Sequence, residues 1–161
     1  MRATRVWLSL MVLSLVMAAP INGAKSVPLK GSWSGLTMSA DPANFPVVAI
    51  VAEGSGQLTH LGRYFMSSPH TTNVFTGETL GDQIFTAANG DTLTAYCAGF
   101  PQQQDPPTGP VIGGLDCEIT GGTGRFENAS GSYVFFLTAV PRTDGGPGFA
   151  TTAAINGEIS F

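Results

Sequence analysis

Past residue 24 the chain carries no apolar stripe at helical spacing of useful length. Short runs recur instead in which apolar and polar residues alternate, each bounded by Gly, Pro or Asn. Alternation with a period of two puts one set of side chains on each face of an extended strand, so the pattern restricts the chain to an all-β fold. Eight runs can be marked, at residues 29–38, 46–53, 57–66, 83–87, 92–98, 113–120, 132–139 and 151–161, with a short extra strand at 73–76. The run 46–53 reads PVVAIVAE and is expected to be buried on both faces. Gly54-Ser55-Gly56 reads as a tight connection. Asn89-Gly90 is a two-residue hairpin signal, because both positions tolerate positive φ.

Eight antiparallel strands of this length make a closed barrel or a sandwich. Closure removes the exposed edges that invite aggregation. An eight-stranded barrel is either filled by its own side chains or just wide enough for one small ligand. In an up-and-down arrangement, successive connections fall at alternating ends. The segments 54–56, 88–91 and 121–124 are short or glycine-dense and gather at one end. Residues 40–45, 67–82, 99–112 and 141–149 are long, rich in Pro, Gly and Gln, and gather at the other. Function on a rigid β scaffold sits on its elaborated loops, so the long-loop end is the expected working end.

The N-terminus points to export. Arg2 and Arg5 precede an apolar stretch at residues 6–16, and small residues follow at Ala18, Ala19, Gly23 and Ala24. That order is a secretory signal peptide, with cleavage expected after Gly23 or Ala24 and a single domain over 25–161. The apolar stretch is shorter than the roughly 20 residues of a membrane span. The expected destination is secreted or periplasmic. Losing Arg2 and Arg5 leaves five basic residues against 11 acidic ones, with no Lys/Arg cluster, which argues against nucleic acid and anionic membrane surfaces. The two cysteines, Cys97 and Cys117, are expected to pair in an oxidising compartment, bridging neighbouring strands across one long loop.

The segment 121–131, GGTGRFENASG, resembles the GGTGxFxxAxG segment of the dirigent and allene oxide cyclase barrels. The stretches GQLTHLGR (56–63) and AANGD (87–91) are similar to those of secreted bacterial proteins with an allene-oxide-cyclase-like domain. The resemblance implies an eight-stranded antiparallel up-and-down barrel of calycin-like form. Gly121, Gly122, Gly124 and Gly131 then allow turns and close approach, while Phe126 and Ala129 plug one end. It also implies two chemistries, isomerisation of a fatty-acid epoxide or steering of phenolic radical coupling. No motif marks the active-site positions of either group here.

Candidate chemistry is sparse. His60 and Tyr64 share strand parity, so both could line one face and do acid–base work. Glu53 ends the apolar run with the parity of Val47, Ala49 and Val51; on an interior face desolvation would raise its pKa. Tyr96 completes this candidate catalytic set. His70 lies in a Ser-Pro-His-Thr-Thr stretch and reads as solvated. Asp116 and Glu118 share the face opposite Leu115, Cys117 and Ile119 and read as solvent-facing. The two histidines fit no zinc spacing, so neither metal nor cofactor is called for. These readings favour a non-enzymatic barrel that binds a small apolar ligand or a surface partner at its long-loop end, with a cofactor-free isomerase or stereocontrolling barrel as the alternative. Assembly into a homo-oligomer is left open.

Overall fold

The computed structural model describes residues 25–41, 43–106 and 108–161; the signal peptide expected over 1–24 lies outside them. The alternating runs form strands β1 (Val27–Asp41), β2 (Val47–Leu58), β3 (Gly62–Asn73), β4 (Thr79–Ala87), β5 (Thr92–Gly99), β6 (Gln102–Gln103), β7 (Val111–Gly122), β8 (Ser130–Pro141) and β9 (Phe149–Ser160). All pairings are antiparallel. The order is β5-β4-β3-β2-β1-β9-β8-β7, and β5 pairs with β7, so the eight long strands close into an up-and-down barrel. The two-residue β6 extends the β5 side of the seam along β7.

The strands are steeply tilted. One row of cross-strand partners runs Ser39, Ile50, His70, Gly81, Cys97, Cys117, Tyr133, Gly157, Leu29. It returns to β1 ten residues below its start. A stagger of this size gives an interior that side chains can fill or that can hold one small ligand.

Here the side chains fill most of it. Connections 59–61, 88–91 and 123–129 close one end, and the described loop residues 43–46, 74–78, 100–106, 108–110 and 142–148 emerge at the other. At the short-turn end Phe126, Leu93 and Ile159 are 0% exposed, so no water-sized void touches them. Phe126 sits in a single 3₁₀ turn (Gly124–Phe126) that folds under the barrel with Ala129. Gly121, Gly124 and Gly131 hold positive φ around it. Above this plug lie Trp33, Tyr64, Met66, Phe85, Tyr133 and Phe135, each buried and each from the inward parity of its strand. Phe85 stacks edge-on to Tyr64 at 5.1 Å and to Tyr133 at 6.2 Å. Cys97 and Cys117 are register partners on β5 and β7 and form a buried disulfide.

Three expectations from the sequence are corrected. Gly54-Ser55-Gly56 is no turn; it lies inside β2. A Cβ on Gly54 would strike the Ser34 carbonyl, and one on Gly56 the Ser32 carbonyl and the Tyr64 hydroxyl. The glycines permit close strand approach and leave room for an aromatic ring, a use that mimics a turn signal in sequence. The turn falls instead at 59–61, where His60 takes φ 68° and Gly62 φ 76°, so the run marked at 57–66 straddles two strands. Third, β3 continues to Asn73, and the strand marked at 73–76 is a turn. Pro69 has no N–H to give, and the β3–β4 ladder accordingly passes from Ser67 to His70 without a pair. At the Asn89-Gly90 hairpin only Gly90 holds positive φ.

Replacing both Cys97 and Cys117 with Ala should lower unfolding free energy by about 3 kcal/mol, the value for a loop of this length, measured by urea denaturation without reductant. Gly56→Ala should cost about 1–3 kcal/mol by overpacking, whereas Ser55→Ala, one residue away on the outer face, should change stability by less than about 0.5 kcal/mol.

Candidate functional site at the long-loop end

The inward-facing positions change character along the barrel axis. Toward the short-turn end they are large, apolar and sealed. Toward the long-loop end they become small or polar: Gly35, Gly81, Gly99, Gly113, Ala139, Thr37, Thr151 and Thr79. Small side chains leave space at the mouth, and inward-facing Thr37, Ile50, His70, Thr72 and Leu137 are only half-buried there. These half-buried side chains outline a half-open mouth, a shallow cup in the sense of its burial. Its seam side is partly covered by buried Pro101, which lies against Gly113 where a Cβ would stand.

The polar groups in and below the cup are mostly committed to one another. Thr79 donates to the Gly77 carbonyl (3.2 Å) and receives the Thr72 hydroxyl (2.9 Å). Thr37 and Thr151 share a hydrogen bond of 2.9 Å. Lower down, the Tyr133 hydroxyl donates to Gln83 Oε1 at 2.9 Å, and Tyr64 donates to the Ser32 carbonyl at 3.0 Å. Burial pushes both phenols well above the ordinary tyrosine range, and for Tyr133 the nearby Tyr64 adds to this, so both stay neutral donors. His70 donates from Nδ1 to the Ser68 carbonyl at 2.9 Å. A carbonyl can only accept, so this bond fixes the tautomer and leaves Nε2 as a bare acceptor. Burial lowers the His70 pKa below its usual 6.5, partly offset by that hydrogen bond.

The rim is aromatic. Phe75, Phe45 and Phe100 are 74%, 63% and 62% exposed, with Val74 beside them, and Phe45 and Phe75 meet edge-on at 5.3 Å. The loops that carry them are held in place. Asn73 Oδ1 accepts from the backbone N–H of Phe75 (3.0 Å) and Thr76 (3.3 Å), and Gln102 Nε2 donates to the carbonyls of Thr76 and Phe100. Gln102 thereby ties loop 100–110 to loop 74–78. Arg142 and Asp144 pair across the β8–β9 loop.

The four candidates drawn from sequence are not brought together. Glu53 points outward from the middle of β2 and is exposed; the interior parity of that strand belongs to Val48 and Ala52. His60 sits in the turn at the opposite, sealed end, its Nε2 3.1 Å from the Pro28 carbonyl and its ring 5.6 Å from Phe161. Its left-handed backbone breaks the parity with Tyr64 that the sequence implied. Tyr96 is exposed on the outer face of β5. Only Tyr64 lies in the interior. Asp116 and Glu118 face solvent, as expected. His70, read from sequence as a solvated loop residue, is the imidazole that lines the mouth. Its alternation with Met66, Ser68 and Thr72 was the available signal, masked by Pro69.

Two depressions, of about 520 and 760 Å3, are open troughs on the outer wall. They share Ser32, Ser34, Ser55 and Gly56 and are flanked by Phe136 and Phe65 respectively. Among the described residues no group of three His, Cys, Asp or Glu could hold a metal ion, and no helix is long and apolar enough to cross a membrane.

No protein-family model, curated protein or solved structure matches this chain. The fold itself defines the class: a small all-β protein built as a closed eight-stranded barrel, sealed at one end and half-open at the other.

As pH falls, the unfolded chain takes up a proton on His70 before the folded chain does, because its folded pKa is lowered. Stability should therefore be full above pH 6.5 and decline as pH drops below it. In His70→Gln this part of the decline should vanish, read as a flatter midpoint-against-pH curve from pH 7.5 to 5.

Proposed function

We propose that this chain is an exported, non-enzymatic binding barrel that takes an apolar ligand or partner segment at its long-loop end. One observation carries the reading. The inward-facing side chains are sealed at one end but half-open at the other, and three exposed phenylalanines stand on the tethered loops at that end. Exposed aromatics on tethered loops present large contact area at low ordering cost, which is how rigid scaffolds bind. The buried disulfide accords with an oxidising destination. The glycine segment at 121–131 and the strand number support placing the chain among the allene-oxide-cyclase-like barrels. Nothing in the placement of Glu53, His60, Tyr64 and Tyr96 supports an isomerase reading, since they occupy different faces and ends.

The rim variant Phe45→Ser/Phe75→Ser/Phe100→Ser should fold as the parent does, because the replaced rings are mostly in water. It should lose at least tenfold in affinity for an anilinonaphthalene sulfonate dye and for any apolar molecule retained on purification. Unchanged dye binding by a folded rim variant would remove the long-loop end from consideration and turn attention to the outer troughs.

A further inference from the structure

The outer wall of the barrel is divided by charge. On β4, β5 and β7 the outward residues include Asp82, Asp116 and Glu118, with Tyr96 among them. On the opposite side, from β8 across β9, β1 and β2 to β3, two adjoining rows of register partners carry no carboxylate. One row runs from Phe136 to Arg63 and the next from Thr138 to Phe65. Between those ends lie only Ala154, Ser32, Gln57, Thr152, Ser34 and Ser55, all exposed.

Small side chains between larger neighbours make a depression. The two troughs of about 520 and 760 Å3 share Ser32, Ser34, Ser55 and Gly56, so they form one continuous trough that runs around this wall. Leu36 and Glu53, partners in the next row toward the mouth, bank it on one side; Lys30 and Asn156 bank it on the other. Phe136 and Phe65 line it and are 52% and 49% exposed. They stand four strand spacings apart, on the order of 19 Å. Each ring has small partners on both adjacent strands, Gly114 and Ala154 for Phe136, Ser55 and Thr86 for Phe65. No bulky partner on those strands shields either ring from a flat ligand.

This lining selects its occupant by exclusion. The closed ring offers no free strand edge here, so an extended peptide cannot add its backbone to the ladder. An alkyl chain would cover the hydroxyls of Ser32, Ser34, Ser55 and Thr152 and give them no partner, which costs free energy at each. A polyanion meets one cation in the lining, Arg63, on a chain of net charge −4 and with Glu53 in the next row. A second copy set two-fold about the centre of the trough would place the Phe65 of each on the Phe136 of the other and hold the two hydroxyl floors apart. A neutral sugar chain meets both parts of the lining. Its pyranose rings present apolar C–H faces to aromatic rings, and their edges carry hydroxyls that donate and accept at once. We propose that the trough binds a neutral polysaccharide chain, with Phe136 and Phe65 against pyranose faces and the Ser, Thr and Gln57 side chains between them bonded to sugar hydroxyls. The site is separate from the long-loop end and stands independently of the reading given above.

The test uses cellohexaose, an extended chain, and laminarihexaose, a curved one, added to the oxidised protein and followed by backbone amide NMR. Either hexasaccharide should give saturable shifts at Ser32, Ser34, Ser55 and Gln57, and glucose should bind at least tenfold more weakly because it reaches one ring only. Phe65→Ser/Phe136→Ser should weaken hexasaccharide binding at least tenfold, and Ser34→Ala/Ser55→Ala severalfold. Tyr96→Ser, which removes a comparably exposed ring from the acidic wall, should leave it unchanged. Amide spectra check that each variant is folded; Phe65→Leu/Phe136→Leu, which keeps apolar bulk and removes the flat faces, serves if the serine pair is not. Absence of a saturable shift with both chains, shifts confined to other surfaces, or full affinity in the folded double variant would overturn the proposal. Shifts on this wall that follow protein concentration and ignore the sugars would overturn it as well, and would make the face a contact between copies.

Discussion

Everything in this molecule depends on the sheet meeting itself. Pairing of β5 with β7 converts eight strands into a ring and so removes the two rows of unpaired N–H and C=O groups that an open sheet of this size would present. Closure also creates an inside. With no layer of helices among the described residues to cover either face, the inward side chains leave water by facing one another across the ring, and the alternation of the sequence acquires its meaning from that fact. The disulfide sits on this one pair of strands, as register partners, where a crosslink holds the ring shut most directly. The steep stagger that accompanies closure lets Tyr133 on β8 reach Gln83 on β4 and knit separated strands together.

The ring is not filled evenly. Large residues and the Phe126 plug crowd one half, while glycine, alanine and threonine line the other. Glycines serve both halves differently. Gly56 lies under Tyr64 and makes room for a ring; Gly81 and Gly113 let a neighbouring strand or loop come close without adding side chains of their own. The same gradient separates strength from recognition. The sealed half carries most of the apolar burial, and the half-open half keeps polar groups, His70 with its Nε2 acceptor among them.

Much of the architecture was legible in the sequence because two-residue periodicity is a direct consequence of strand geometry. The strand count follows from it; the up-and-down barrel was implied by the resemblance of the 121–131 segment, the grouping of longer loops at one end follows once that order is taken, and the pairing of Cys97 with Cys117 rested on an even cysteine count on neighbouring strands. What failed to show was any element whose local chemistry imitates something else. Gly54-Ser55-Gly56 looks like a turn because flexibility and tight packing call for the same residue. Glu53 shares its parity with three aliphatic residues, and only the closed ring reveals that those aliphatics form the outer wall. His70 was hidden by Pro69, since proline argues against a strand interior, whereas here it costs the β3–β4 ladder two residues of pairing and no more. The candidate site was legible only as a region; its imidazole needed the third dimension.

The ladder between β1 and β9 joins Val27 to Ile159 and continues to Thr37 and Phe149. It is among the most extensive contacts in the barrel, and it links the two extremes of the described sequence. Loop-closure entropy must be met before such distant partners can reward it, which places a chain of this kind among slow folders. It also means that a growing or translocating chain cannot complete its ring until the last strand has arrived. Up to that moment β1 has an open edge. A chain with this topology therefore closes late, only when its ninth strand has come within reach of its first.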